Sequence, residues 1–494
     1  MQTPDAMVRE AQELQAQNRT ADAIEAYKRV LMQWPTLPDC WFNLAFLLRQ
    51  IRRYDDALGC YQKALATGVS APETARLNRA VIYGDHLRQD EAAECELRAA
   101  LELNPAFVPA LLNLASLLED RGRRDEAGAL YAKALAVDPR CYLALARFAN
   151  LQPPAACDDA LSARLRAALA HPAASAADRA ALGFALGRAL DAAADYEAAF
   201  AAYEVANRDS RASTLPAQVR YNRAAQEELT DRLIAVPART PTPAEAGGAR
   251  PIFVCGMFRS GSTLAEQLLG GHAGVAAGGE LDLLPTAIAT HLLPFPESLG
   301  SAPQQQLAEI ARGYRGAIAR LFPGARYVID KRPDNFLCIG LIKTLFPDAL
   351  IVHTTRDPLD TSLSIFFLHL DHRMSYALEL MDIGHYYRHY RRLLAHWKQR
   401  YGADIVDLDY DRLVHEPQVA GPALFASLGL SWDAKFLDFP QAARAARTAS
   451  VWQVREPLYR RSSGRSRHYA TQLASLREYL ADLLPAPAPS AEPR

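Results

Sequence analysis

The sequence predicts a multidomain protein in which an all-α superhelix precedes an α/β domain with a central parallel sheet. Three observations predict this fold class. The first 150 residues repeat a helical pattern at intervals of 34 and 35 residues. From residue 252 onward, short β-branched runs alternate with helical stretches, as in parallel α/β folds. A chain of 494 residues is also too long for one ordinary hydrophobic core.

Composition excludes several classes of function. The chain carries 55 Lys+Arg and 56 Asp+Glu, and this balance argues against general nucleic-acid binding. Its seven cysteines are scattered without a C-x-x-C pair, which suits a reducing compartment and predicts neither a disulfide framework nor a metal site. The N-terminus lacks a signal-peptide apolar segment, and no run reaches the about 18 apolar residues that a membrane helix needs. We therefore expect a cytoplasmic protein without a membrane span.

The N-terminal repeat is carried by small residues in phase. Spacings of 34, 35 and 35 residues separate four alanines, Ala23, Ala57, Ala92 and Ala127. A second series keeps the same phase through Asn43, Asn78 and Asn113. Small side chains recur where the two helices of a hairpin must approach closely. The pattern resembles the tetratricopeptide repeat (TPR), whose helix–turn–helix period is about 34 residues. Residues 1–150 are therefore predicted to form TPR repeats.

Changes in composition predict the remaining boundaries. Residues 151–235 are alanine-rich and are expected to form further TPR-like and capping helices. Residues 236–251, rich in proline and glycine, are predicted to be a linker. The α/β domain is expected at residues 252–480, and the proline-rich residues 481–494 are expected to be a disordered tail.

A glycine-rich loop opens the α/β domain with the sequence GMFRSGST at residues 256–263. Gly256 and Gly261 allow the backbone amides to converge, and the helix beginning near Ser262 adds its positive end. Ser262 stands where an ATP-binding loop has lysine, and Arg259 supplies a cation earlier in the loop. The loop therefore predicts an anion site that differs from an ATPase site. A glycine turn that merely opens a helix has the same local pattern.

A second element follows about a hundred residues later. Arg356 is predicted at the carboxyl end of a strand, and Ser364 follows eight residues later on the next helix. Open α/β sheets bind ligands at the carboxyl ends of their strands. Arg356 and Ser364 can therefore bracket a second phosphate.

Together the two elements resemble the sulfotransferases that use 3′-phosphoadenosine 5′-phosphosulfate (PAPS). The resemblance covers about residues 250–470 and is nearest to tyrosylprotein sulfotransferases and to bacterial relatives fused to TPR repeats. It implies a P-loop-like sulfotransferase domain with PAPS as co-substrate and no metal. It also implies that the 5′-phosphosulfate is held by Arg259, Ser260, Gly261, Ser262 and Thr263. Arg356 and Ser364 would hold the 3′-phosphate.

Four further stretches carry the resemblance. Glu280, in AGGELDLLP, is implied to be the general base on the acceptor hydroxyl. Lys331, in IDKRPDNF, would lie near the bridging oxygen and, with Arg259, stabilise charge on the leaving phosphate. The resemblance further implies Tyr410 as an adenine neighbour and Ser450 as a ligand contact. Arg465 occupies the place of a cofactor-binding lysine, although Ser466 replaces the tryptophan that follows it in the family.

Each catalytic assignment has a structural alternative. Arg259 could form an ion pair with an aspartate, either Asp330 or Asp357. Glu280 could cap a helix, and Lys331 could belong to a solvated charged patch. Histidine, the base in small-molecule sulfotransferases, is offered nearby by His272, His353, His369 and His372. Of these, His353 lies inside a predicted strand and is expected to be a core residue.

The leading interpretation is sulfuryl transfer from PAPS to a hydroxyl, on a peptide or protein tyrosine recruited through the TPR groove. A carbohydrate or small-molecule acceptor and a homodimer are compatible with the sequence. One alternative is a Mg²⁺-dependent P-loop kinase of nucleotides or small molecules, against which the absent lysine at Ser262 argues. Another is a non-catalytic TPR scaffold with a vestigial nucleotide domain, against which the retained phosphate elements argue.

Overall fold

The computed structural model describes residues 3–152, 159–213, 220–243, 248–370, 374–441, 458 and 460–484. The chain separates into two compact units, Met1–Leu151 and Gln152–Arg494. The first is helical, and the second contains a five-stranded parallel sheet. The predicted fold class, a helical repeat region before an α/β domain with a central parallel sheet, is confirmed.

The first unit consists of consecutive antiparallel helices. Their bounds are α1 Pro4–Ala16, α2 Thr20–Gln33, α3 Pro38–Gln50, α4 Tyr54–Ala66, α5 Pro72–Val81, α6 Asp90–Leu103, α7 Val108–Asp120, α8 Arg124–Val137 and α9 Tyr142–Leu151. Proline lies in the first turn of α1, α3, α5 and α7. Proline suits this position because its fixed φ matches the helix and its missing N–H would have no intrahelical acceptor.

The repeat phase differs from the predicted one in its third unit. Three of the four alanines are fully buried, Ala23, Ala57 and Ala127. Ala92 is only half-buried, and its neighbour Ala93 occupies the buried position. Ala57 and Ala93 are 36 residues apart, and a π-helical turn at Ile82–His86 continues α5 between them. Because a π-turn holds more residues than an α-turn, it absorbs the additional residues before the next hairpin.

Four helices of the second unit precede the sheet. They are α10 Asp159–Leu169, α11 Ala176–Ala192, α12 Tyr196–Ala212 and α13 Arg223–Ala235. A Cβ at Gly187 in α11 would lie 2.8 Å from the Tyr203 ring in α12, so glycine allows this close approach. Asn207 of α12 donates a hydrogen bond to the Phe366 carbonyl at 2.9 Å. These helices therefore pack against the α/β part of their own unit.

The strand order of the sheet brings the carboxyl ends of three central strands together. Its strands are β1 Arg250–Gly256, β2 Val275–Ala277, β3 Tyr327–Lys331, β4 Leu350–Thr355 and β5 Ile405–Asp409. All are parallel in the order β2-β3-β1-β4-β5. The pairing matches Val254 with Lys331 and Gly256 with Thr354. The carboxyl ends of β1, β3 and β4 consequently meet at one edge, where open parallel sheets bind ligands.

The helices of the α/β part connect and cover these strands. Their bounds are α14 Ser262–Leu269, α15 Leu283–His291, α16 Glu297–Ser301, α17 Gln304–Leu321, α18 Ile339–Leu345, α19 Pro358–Phe366, α20 Leu380–Tyr401, α21 Tyr410–His415, α22 Pro417–Ser427 and α23 Ala474–Tyr479. Helix α20 is amphipathic and buries Tyr387, Tyr390 and Trp397 on its inner face. No helix in the described ranges has the length and apolar character needed to cross a bilayer.

Part of the predicted linker is attached to the second unit. Arg239 donates to the Gly300 carbonyl at 2.8 Å, and the Thr242 amide donates to the Thr344 carbonyl at 2.8 Å. Strand β1 begins at Arg250, inside the stretch predicted as linker. Of the predicted tail, residues 485–494 lie outside the described residues.

Candidate functional site

The glycine loop after β1 is held in a single conformation by close packing. Gly256 has φ 151°, and a Cβ there would lie 2.4 Å from the Thr354 carbonyl oxygen. Gly261, at the start of α14, has φ 104°, and its Cβ would lie 2.8 Å from the Tyr410 ring. The hydroxyl of Ser260 is hydrogen-bonded to the hydroxyl of Thr354 at 2.7 Å. Both glycines are therefore required by the geometry, as the sequence predicts.

Arg259 joins the loop to the second predicted element. Its φ of 68° is uncommon for a residue other than glycine. The Arg259 Nε donates a hydrogen bond to Ser364 Oγ at 3.0 Å. Two segments that are 105 residues apart thus meet directly. Ser262 and Thr263 are buried in the first turn of α14, beside this contact in the chain.

Arg356 follows β4 and reaches back across the sheet edge. Its Nη1 donates to the Arg259 carbonyl at 3.2 Å, and its Nη2 donates to the Ser462 carbonyl. The guanidinium carbon lies 5.0 Å from the centre of the Tyr410 ring. The Nε–H is buried and has no hydrogen-bond partner among the described residues. A buried donor without a partner is costly, and an anionic ligand would satisfy it.

Glu280 and Lys331 form an ion pair at the same edge. Lys331 Nζ donates to Glu280 Oε1 at 2.6 Å. The Lys331 side chain is 1% exposed and the Glu280 side chain 39% exposed, so a buried ammonium lies beneath an accessible carboxylate. Lys331 is therefore not part of a solvated patch. Glu280 does not cap α15, because Asp282 occupies the N-cap position.

Glu266 is a buried site residue that the sequence interpretation missed. It lies on α14, is 3% exposed, and accepts a hydrogen bond from the Gly279 amide at 2.7 Å. It therefore fixes the turn that carries Glu280. Burial raises the pKa of Glu266, and the positive charge of Lys331 opposes that rise. The available signal was a carboxylate among the leucines and alanine of STLAEQLL, since unpaired carboxylates are rarely buried.

Two ligand candidates were predicted near the C-terminus, Arg465 and Ser450, and the first lies among the described residues. Arg465 Nη2 donates to Asp191 Oδ2 of α11 at 2.6 Å, and its guanidinium lies 5.2 Å from the centre of the Phe367 ring. The buried carboxylate of Asp360 accepts from the amides of Gly464 and Ser466 and so fixes this segment. Arg465 thus has a carboxylate partner within its own unit. Ser450 lies outside the described residues.

His353 is the core residue that its strand position predicts. It is 1% exposed, and its Nδ1 is hydrogen-bonded to Asp407 Oδ1 at 2.7 Å. Its Nε2 is hydrogen-bonded to the Tyr390 hydroxyl. Burial lowers the pKa of His353, which favours the neutral ring. The neutral imidazole is held within the sheet by both nitrogens.

Two further histidine candidates for the general base, His272 and His369, lie among the described residues. His272 precedes β2, at the amino end of the sheet, and its Nδ1 accepts from the Gly274 amide at 3.0 Å. The ring of His369 stacks on the ring of Phe184, with 5.1 Å between their centres. His372 lies outside the described residues.

Asp330 precedes Lys331 and faces the opposite side of the strand. The Tyr314 hydroxyl donates to its Oδ2 at 2.8 Å, while its Oδ1 is buried without a partner in the described part of the chain. Burial raises the pKa of Asp330 to about 7. The fold therefore favours the protonated acid.

Asp330→Asn is expected to be more stable than the unmodified chain above pH 7. An acid with a raised folded pKa loses stability as the pH rises from its unfolded value, near 4, to its folded value. The difference between the two proteins should grow to about 4 kcal/mol across this window. Urea unfolding at pH 4.5 and pH 8 measures it, with the exposed Asp334→Asn as control. An equal pH dependence in all three proteins would contradict the assignment.

Comparisons with known proteins describe both parts of the chain. Residues 251–434 match the family model described as "Sulfotransferase family". Residues 14–77 and 110–141 match models of the tetratricopeptide repeat. An uncharacterized protein of Aquifex aeolicus strain VF5 is 31% identical over 411 residues, covering 79% of this chain. The match covers 52% of that relative, so this chain spans about half its length.

A solved sulfotransferase domain and a solved MamA protein are also similar to parts of this chain. The sulfotransferase domain of the Synechococcus PCC 7002 olefin synthase is 19% identical, with a TM-score of 0.37, covering 50% of this chain and 100% of that one. A crystal structure of the MamA protein is 16% identical, with a TM-score of 0.28, covering 42% of this chain and 91% of that one. Tyrosylprotein specificity is not part of any of these matches. Residues 251–434 of the chain are therefore similar to the sulfotransferase family, and stretches before them are similar to tetratricopeptide repeats.

Proposed function

We propose that the second unit transfers a sulfuryl group from PAPS to a hydroxyl of its acceptor, a tyrosine in a peptide or protein. One observation carries the proposal: Arg356 has a buried Nε–H without a partner among the described residues, next to the glycine loop. Sulfotransferases generally use PAPS as donor. An anionic nucleotide would satisfy this donor and the amides of the loop together.

The residues at the sheet edge fit such a nucleotide. The loop amides with Ser262 and Thr263 would hold its 5′ side, since a helix N-terminus favours anions. Arg356 and Ser364 would hold the 3′-phosphate. Tyr410, already packed against Gly261 and Arg356, offers an aromatic face beside the loop for the base. When bound, PAPS supplies the sulfuryl group and a phosphate leaving group.

Glu280 would accept the proton of the acceptor hydroxyl, and Lys331 would stabilise the negative charge that develops on the leaving group. The exposed carboxylate of Glu280 can accept the proton of an acceptor hydroxyl. The ammonium of Lys331 pairs with that carboxylate and would stabilise negative charge on a departing oxygen. Glu266 orients the pair through the Gly279 amide. The surroundings of His272 and His353 favour Glu280 over either histidine as the base.

The assignment of the acceptor is the finer part of the proposal. The motifs around Glu280 and Lys331 resemble those of tyrosylprotein sulfotransferases, which supports a tyrosine hydroxyl. Tetratricopeptide repeats have the capacity to bind proteins, and we assign them the recruitment of the acceptor.

Labelled PAPS and a panel of acceptors test the proposal. The full chain is incubated with sulfur-labelled PAPS and with tyrosine peptides, phenylalanine-substituted control peptides, polysaccharides or small phenols. Label on the tyrosine peptides alone is the expected result. Label on polysaccharides alone would refute the tyrosine acceptor but retain the sulfotransferase. Failure to bind PAPS, with Mg²⁺-dependent ATP turnover instead, would refute both.

A further inference from the structure

A cluster of three ionisable side chains lies away from the sheet edge, between α13 and α20. Glu227 belongs to α13, and His385 and His389 belong to α20. The two histidines are four residues apart and therefore project from the same face of their helix. No residue of the glycine loop takes part in the cluster.

Potential ligand atoms of the three side chains lie close together. His385 Nε2 lies 2.9 Å from Glu227 Oε1. One nitrogen of each imidazole and one carboxylate oxygen lie within 4.8 Å of one another. Centre to centre, the two imidazole rings are 4.6 Å apart. Zn²⁺ binds imidazole nitrogens and carboxylate oxygens at about 2.0–2.2 Å, so atoms this close can share one ion after small adjustments.

Two observations distinguish the cluster from an ordinary surface ion pair. His389 Nδ1 is buried and finds no hydrogen-bond partner in the described ranges. His385 is buried, and its Nδ1 is hydrogen-bonded to the Tyr221 hydroxyl at 2.9 Å, which fixes the orientation of the ring. Metal-binding histidines are typically oriented by an outer partner on their second nitrogen. Tyr221 has that position here.

The surrounding charges are compatible with a cation. Asp231, one turn after Glu227 on α13, is paired with Arg392 of α20 at 2.7 Å. Asp382 is similarly paired with Arg223. These charges largely cancel, which leaves the carboxylate of Glu227 as the negative group of the cluster. The Glu227 side chain is 54% exposed, so an ion can reach it from solvent.

We propose that Glu227, His385 and His389 bind one divalent transition-metal ion, with Zn²⁺ as the best chemical match. Two imidazoles and one carboxylate are a donor set that Zn²⁺ takes, with a water molecule in the fourth position. The ion would connect α13 to α20 and so stabilise the helices that cover the sheet. A sequence pattern could at most have indicated His385 and His389, which are four residues apart, because Glu227 lies 158 residues before His385.

Binding of Co²⁺ and Zn²⁺ to the full chain tests the site directly. The metal-free protein is titrated with Co²⁺, whose visible absorption reports tetrahedral nitrogen and oxygen ligands, and Zn²⁺ competition gives the affinity. We compare the unmodified chain with Glu227→Gln and His389→Ala. His396→Ala is the matched control, because His396 lies on α20 outside the cluster.

The unmodified chain and His396→Ala are expected to bind one ion with equal affinity. Each cluster variant should bind at least about 10–100-fold more weakly, since even outer-shell substitutions have effects of that size. Zn²⁺ should raise the melting temperature of the unmodified chain and leave the cluster variants unchanged. Melting of the metal-free proteins shows that the variants fold. Equal Zn²⁺ affinity in all four proteins, or no binding by the unmodified chain, would overturn the proposal.

Discussion

Arg356→Ala is expected to weaken binding of 3′,5′-adenosine bisphosphate by at least about 30-fold, since truncating one partner of a buried charge pair costs about 2–5 kcal/mol. Three observations support a change of this size. The guanidinium lies at the carboxyl end of β4, contacts the loop through the Arg259 carbonyl, and has a buried Nε–H that finds no partner in the described part of the chain. Isothermal titration with the desulfated nucleotide measures the loss without requiring an acceptor.

Two further variants separate a ligand role from a structural one. Arg356→Lys keeps the charge but loses the planar fork and the Nε–H, so an intermediate affinity is expected. Arg412→Ala, on the neighbouring helix α21, removes a guanidinium that is 57% exposed and should bind as the unmodified chain does. Unchanged affinity in Arg356→Ala, with an unchanged melting temperature, would contradict the placement of the 3′-phosphate at Arg356.

Glu280→Gln is expected to lower kcat by about 100- to 10,000-fold, the usual contribution of a positioned general base. Glutamine keeps the size of the side chain and can still accept from Lys331, but it cannot take the acceptor proton. The affinity for 3′,5′-adenosine bisphosphate should therefore remain close to that of the unmodified chain. Steady-state rates with labelled PAPS and the best acceptor of the panel measure the change.

Asp282→Asn is the matched control for Glu280→Gln. Asp282 lies two residues away, is 81% exposed, and pairs with Arg332 rather than Lys331. Its substitution should leave kcat within a few-fold of the unmodified value. His369→Ala tests the remaining described histidine outside the sheet. A large loss in His369→Ala, together with a normal rate in Glu280→Gln, would assign the base to the histidine.

The sequence predicted those features that depend on local pattern. The role of the loop glycines could be predicted because a strand, a tight turn and a helix follow one another within a few residues. Arg356 could be placed at a strand end because a β-branched run precedes it. The repeat could be predicted from its period. After the π-turn at Ile82–His86, however, the buried position is occupied by Ala93 and not by Ala92. Local signals therefore sufficed for the architecture.

Contacts between distant segments could not be predicted in this way. The hydrogen bond from Arg259 to Ser364 and the 2.6 Å pair of Lys331 with Glu280 depend on strand order, which periodicity does not specify. The same holds for Glu227, which meets α20 only after folding. The helix pattern of α14 alone would not predict the role of the Glu266 side chain, because a buried carboxylate is an exception to that pattern.

The hydrogen bonds of α11 and α12 bear on where the α/β part of the second unit can begin as an independent fold. Asp191 accepts from Arg465 and from the Tyr469 hydroxyl, and Asn207 holds the Phe366 carbonyl at the end of α19. A chain shortened to residues 251–434 would keep the end of α19 without the amide that holds it. Restoring Arg465 but not α11 would leave a largely buried guanidinium without its counter-charge. The smallest part of this polypeptide that folds around the sheet on its own is accordingly expected to start well before β1.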